Sequence, residues 1–421
     1  MSDVWRGGLR DGLSYGVLGL PLAFVALPLY VILPNHYASE FGVSLAVLGS
    51  LLLGARLLDA LVDPWIGRWT DGWFAHSTGR ALTALAMAAV VLALGFRGLF
   101  FPLVTEGAPL LWWCGALLAV TYLSYSVVSV VHQSWGARLG GNEGQRARIV
   151  SWREGLALVG VLVASVLPAV AGLGVASLVF AASLVIGVGC LWRAPRPLRG
   201  QPSLDRVGLF EPLRDGAFRR LLAVYLLNGV ASAVPATLVL FFIRDRLQAQ
   251  PWEPAFLAAY FAAGALSMPL WLRAVSRLGL ARSWLGGMAL AVLTFAWAAL
   301  LGAGDTLGFL AVCLASGVAL GADLSLPGAL LAGVIQRSGQ AGRLEGGYFG
   351  WWNFATKLNL ALAAGVALPL LAAFGYAPGA RDSGALTALT VGYCLLPCLL
   401  KLAAIGLLAR LQASPLEGER S

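Results

Sequence analysis

Residues 55–67 read Ala-Arg-Leu-Leu-Asp-Ala-Leu-Val-Asp-Pro-Trp-Ile-Gly and close an apolar run that begins near residue 44. Two acids one helical turn apart, Asp59 and Asp63, thus stand in a segment long enough to cross a bilayer. In an α-helix residues i and i+4 share a face, which brings the two carboxylates to about 6 Å at Cβ. At bilayer depth each charge costs roughly 2.5 to 3.5 kcal/mol, so such a pair needs water, a counter-ion or a proton. The pattern points to a cation site. The competing reading is that the acids only neutralise Arg56, three residues before Asp59.

Working outward, 59% of the 421 residues are hydrophobic and 12% are charged. Soluble domains carry about 25% charged residues, so the composition is that of an integral membrane protein. Apolar runs of spanning length read at 13–35, 44–66, 81–101, 109–134, 152–171, 174–192, 218–243, 253–274, 283–302, 307–335, 347–374 and 384–410. The expected fold is all-α, with twelve transmembrane helices in two six-helix lobes. The lobes are expected at 1–193 and 218–421, joined by a polar linker at 194–217 that contains Ala-Pro-Arg-Pro-Leu-Arg.

The net charge of +9 does not mark a nucleic-acid surface, because the basic residues are spread over short connections. Twenty-two of the 29 Lys and Arg fall on the side that holds the N-terminus. By the positive-inside rule both termini are expected to be cytoplasmic, in a multi-pass protein of the plasma (inner) membrane with no cleavable signal. The five cysteines lie in or at the ends of apolar runs without a CxxC pair, and there are three histidines in all. No metal constellation, phosphate loop or nucleophile elbow is seen, which argues against an enzyme and against a cofactor. The expected partners are a small-molecule substrate and the lipid bilayer, with no nucleic acid, and the chain is expected to act as a monomer.

Gly67-Arg-Trp-Thr-Asp71, with Gly79-Arg80 behind it, resembles the loop motif of the major facilitator superfamily, so Gly67, Asp71 and Arg80 are candidate gating residues. Within that superfamily the chain resembles the melibiose permease-like glycoside-pentoside-hexuronide:cation symporters. Four segments carry the resemblance: Leu13-Ser-Tyr-Gly16, the 55–67 run, Ser151-Trp-Arg153, and Gly342-Arg-Leu-Glu-Gly-Gly-Tyr-Phe-Gly350 leading to Lys357. The resemblance implies two lobes that rock about a central site. It also implies that Asp59 and Asp63 are the coupling-cation carboxylates, with Ser126 adding a hydroxyl beside Tyr125.

Some positions depart from the family. Val62 stands where sodium-using members often have asparagine, which removes a neutral oxygen and favours H+ over Na+ as coupling ion. Two carboxylates this close can share one proton. Ala23 and Ser129 replace sugar-gripping carboxylates, Gln133 replaces a stacking tryptophan, and Gly333 and Gln336 replace acids before the tenth loop.

Substrate is expected at Tyr125, Ser129, Gln133, Arg153, Asp323, Trp352, Asn353 and Lys357. Asp323 is a lone acid near Pro327, read as a substrate or gating group or as the partner of an arginine or Lys357. Lys357 follows Asn353 by one turn and offers a cation beside aromatic and amide groups. No role is assigned to Lys401. The expected function is H+- or Na+-coupled symport of a sugar, glycoside or related solute. The alternatives are cation-coupled transport of an amphiphile such as a lysolipid, or an assembly factor or sensor without transport.

Overall fold

The computed structural model describes residues 5–197, 208–377 and 379–413, so part of the expected 194–217 linker lies outside the described residues. It divides into two compact units, Met1–Arg214 with Ala332–Phe354, and Asp215–Leu331 with Ala355–Ser421. The segment 332–354, which the sequence places in the second lobe, packs with the first unit.

The first unit begins with α1 (Leu9–Gly16), α2 (Gly19–Phe24), a π turn at Pro28–Ile32 and α3 (Leu33–Phe41). The expected span at 13–35 is therefore a bent series reaching Phe41, because Pro21, Pro28 and Pro34 remove amide donors along it. Then come α4 (Leu45–His76), α5 (Thr78–Phe100), α6 (Gly107–Arg138), α7 (Glu143–Trp192) and the short α8 (Glu211–Arg214). Side chains set several starts: Ser44 caps α4, Ser77 caps α5, and Asn142 with Gln145 forms a capping box at α7.

Two expected spans, 152–171 and 174–192, run together in α7 as one 50-residue element broken only at Gly172, where φ is 81°. That region of backbone space favours glycine. The core of this unit includes Phe24 stacked on Phe180 at 5.6 Å, with Phe96 4.6 Å from Phe180. Helices α2 and α7 approach so closely that a Cβ on Gly160 would stand 2.1 Å from the Leu20 carbonyl oxygen.

The second unit holds α9 (Gly216–Phe241), α10 (Glu253–Leu278), α11 (Leu280–Ala298) and most of α12 (Thr306–Arg337). It also holds the greater part of α13 (Glu345–Ala373), then α14 (Ser383–Thr390) and α15 (Leu396–Ala413). π turns at Phe242–Arg246 and Val391–Leu395 extend α9 and join α14 to α15. Its core includes Phe242 stacked on Tyr393 at 4.3 Å.

Among the described residues nine helices are long and apolar enough to cross a membrane, and the 50-residue one among them is two spans joined at Gly172. With the long helices α4 and α13 beside them, the arrangement is consistent with the expected twelve. Large apolar side chains such as Leu103, Leu266 and Leu300 are at least 80% exposed, an outer surface suited to lipid and costly in water.

Replacing Gly160 by Ala is expected to cost about 1 to 3 kcal/mol, because the added methyl has no room against the Leu20 backbone. Gly189→Ala on the same helix meets nothing within 4 Å and should leave stability unchanged or slightly raised. Thermal unfolding of the two purified variants in detergent checks the contrast.

Candidate functional site

The site starts on α4. Asp59 and Asp63 point from one face of the helix and are buried, at 3% and 0% exposure. Helix α6 packs along α4 and presents Ser126, whose Oγ donates to Asp59 Oδ1 at 2.6 Å. One turn before Asp59, the Arg56 guanidinium lies 3.6 Å above the centre of the Tyr30 ring, and Tyr30 in turn faces Tyr122 at 6.0 Å. The acids therefore share their helix with a cation stacked on Tyr30 of the π turn, beside Tyr122 of α6. Carboxylate and hydroxyl oxygens from two helices thus meet at Asp59.

Further along α6, Ser129 accepts a hydrogen bond from Gln133 Nε2 at 3.0 Å, and Tyr125 is half-buried. On α7 the Arg153 side chain binds the neighbouring Glu154 through two donors at 2.6 and 2.9 Å. Trp352 and Asn353 are buried on α13, and the half-buried Lys357 follows on the same helix in the second unit. Asp59 and Ser126 are thus brought into contact, as are Ser129 and Gln133, while Arg153 engages a residue outside the expected set.

The loop motif has a second partner set that its sequence does not reveal. Arg138, fully buried at the end of α6, places Nη2 2.9 Å from Asp71 Oδ1 and 2.9 Å from Glu345 Oε2. It also donates to the Gly342 carbonyl oxygen and lies over the Phe74 ring at 4.6 Å. The first amides of α13, Gly346 and Gly347, donate to the two oxygens of Asp71 at 2.7 and 2.8 Å. A carboxylate at a helix N-terminus satisfies donors that have no partner within the helix.

Gly67 lies against Gly346 so closely that a Cβ on either would come within 2.2 Å of the other's carbonyl oxygen. Arg80 is exposed in the first turn of α5, with its backbone amide on Ser77 Oγ. Where the sequence lacks the acid expected at Gln336, that amide accepts from Arg146.

Two buried carboxylates share one guanidinium here. Burial, opposed by Arg138 and reinforced by Glu345, pushes the Asp71 carboxyl up to about 7. Burial also raises Glu345.

In the second unit Asp323 has a partner far from it in sequence. Lys401 on α15 places Nζ 2.8 Å from Asp323 Oδ2. Asn228 and Ser232 on α9 and Trp284 on α11 donate to the same carboxylate at 3.0, 3.2 and 2.9 Å. Neither the arginine nor the Lys357 partner expected for Asp323 is the residue found in this network.

Both units contain helices long and apolar enough to cross a bilayer, and both bury charged side chains. The family described as MFS/sugar transport protein matches residues 14–414, and the chain belongs to that family. It is 26% identical over 158 residues to the candidate glycoside/cation symporter YagG of Escherichia coli (strain K12). That match covers 37% of this chain, and the chain spans about a third (34%) of the relative.

Among solved structures, a bacterial homologue of the iron transporter ferroportin in its outward-facing state is similar with a TM-score of 0.73 at 17% identity, over 96% of this chain and 100% of that one. The facilitator-superfamily transporter FucP in the outward conformation is similar at 0.71 and 14% identity, over 97% and 100%. The human organic anion transporter MFSD10 is similar at 0.64 and 18% identity, over 95% and 99%. These likenesses establish the major facilitator fold.

Because the packed Asp71 carboxyl holds its proton up to about 7, against 3.8 ordinarily, its contribution to this packing is fully present below 3.8 and is lost as pH rises through 7. Glu345 acts in the same direction. Amide protection factors for Gly346 and Gly347, corrected for intrinsic exchange, should therefore fall between pH 5 and pH 8. Asp71→Asn should flatten that dependence.

Proposed function

We propose that the chain is a cation-coupled symporter of small organic solutes, with Asp59, Asp63 and Ser126 as the coupling-ion site. The observation that carries this reading is the pair of buried carboxylates on one face of α4, one of them bonded to a hydroxyl on α6. Family membership supports it, and so does the stretch shared with a relative named for glycoside and cation symport.

A proton is favoured over sodium as the coupling ion. Val62 offers no oxygen between the acids, whereas a hard cation needs more neutral oxygen ligands than two carboxylates and one hydroxyl provide. Binding a proton removes the repulsion between the carboxylates, which is how the ion gradient enters the cycle. Alternating exposure of the kind used by two-lobed carriers then moves ion and solute together. The solute class is a sugar, glycoside or related compound. Its ligands are drawn from Tyr125, Ser129, Gln133, Arg153, Trp352, Asn353 and Lys357. Both termini are assigned to the cytoplasm from the distribution of Lys and Arg.

The test is uptake of a glycoside panel into proteoliposomes under an imposed ΔpH or sodium gradient. Asp59→Asn should abolish gradient-driven accumulation while the protein still folds, since the change removes charge and keeps volume. Unchanged accumulation in that variant would refute coupling at this residue.

Lys357→Ala tests the other half of the proposal. Loss of a charged hydrogen bond to the solute should weaken its binding by roughly 1.5 to 3 kcal/mol. Equilibrium binding of the coupling ion, measured separately, should be retained.

A further inference from the structure

Inside the second unit lies a cavity of about 150 Å³. Its walls are aromatic, from Phe256, Tyr260, Phe295 and Tyr393, and its polar patch is the Asp323–Lys401 pair. None of these residues belongs to the proposed coupling-ion site, and the chemistry of the cavity is independent of it.

The hydrogen bonding of the pair is complete. Asp323 accepts two donors on each oxygen, Asn228 and Trp284 on Oδ1, Ser232 and Lys401 on Oδ2. Lys401 donates to three acceptors, Asn228 Oδ1 at 2.7 Å, Ser232 Oγ at 3.1 Å and Asp323. The two charges differ in access: 13% of the Asp323 side chain is exposed, against 2% for Lys401. Asp323 is therefore the member of the pair that an occupant or a proton meets first.

The other ionisable groups nearby are Tyr260 on α10, Cys313 on α12, Tyr393 in the π turn before α15, and Cys398 one turn before Lys401. None of them adds a second fixed charge near neutral pH.

The patch is thus a neutral zwitterion sealed against an apolar chamber, and this decides what can enter. An organic anion alone would set two negative charges against one ammonium. A proton alone would leave a buried ammonium without its counter-ion, which is strongly unfavourable. Anion and proton together keep the patch neutral: Asp323 takes the proton on Oδ2 where the Ser232 hydroxyl now donates, that hydrogen bond is given up, the new O–H donates to the entering carboxylate, and Lys401 balances its charge.

We propose that this cavity is a binding site for a small organic monoanion with an aromatic or branched apolar body, taken up together with one proton held by Asp323. The apolar body replaces water against the aromatic walls. The charge balance fixes the stoichiometry at one proton per anion.

Isothermal titration of the purified full-length protein with 2-naphthoate tests this, using buffers of different ionisation enthalpy, with the uncharged 2-naphthamide as control. Uptake of one proton per naphthoate is expected, with affinity falling about tenfold for each unit of rising pH. Naphthamide should bind at least about tenfold more weakly and take up no proton. Asp323→Asn should bind naphthoate with no proton uptake and no pH dependence. Naphthoate binding to the unaltered protein without proton uptake would overturn the proposal, as would equal affinity for naphthamide or no binding of naphthoate at millimolar concentration. These three outcomes need no variant, so they decide the matter even where Asp323→Asn fails to fold.

Discussion

A charge sealed among apolar helices persists only where something matches it, and that constraint organises both units. In the first, Arg138 holds Asp71 and Glu345 at 2.9 Å each, and two backbone amides complete the shell of Asp71. In the second, every oxygen of Asp323 and every proton of Lys401 is engaged. Removing one member of such a set leaves the rest buried and unmatched, at a typical cost of about 3 to 5 kcal/mol. These clusters act as fixed points around which the apolar packing is arranged.

The two clusters differ in how charge is balanced. The Arg138 group sets one guanidinium against two carboxyl groups, and burial raises both acids. The Lys401 group is neutral as it stands. The first therefore responds to pH through Asp71, whereas the second holds opposite charges in equal number.

The features readable in the sequence are the ones encoded locally. Asp59 and Asp63 stand out because a four-residue spacing fixes a shared helix face whatever the rest of the chain does. Gly67 and Asp71 stand out for a similar reason, although the glycine contact with Gly346 that explains the first needs the fold. The spans are legible from apolar length, yet their ends are not: proline placement splits the first span, and the 152–171 and 174–192 runs merge around a single glycine. Arg138 is 67 residues from Asp71 and Lys401 is 78 from Asp323, and pairing across such distances leaves no periodic trace. Lys401 in particular sits in an ordinary apolar run near the end of the chain, where a snorkelling side chain is the natural reading.

The junction at Gly172 also has a practical bearing. Two spans are joined there by one residue at φ 81°, with helix on both sides and no loop between them. An epitope tag, a protease site or a permuted terminus placed at that bend would have to break helical backbone to be accommodated. Labelling meant to map which side of the membrane each connection faces is better directed to irregular stretches such as 101–106, where the chain is already free of helix.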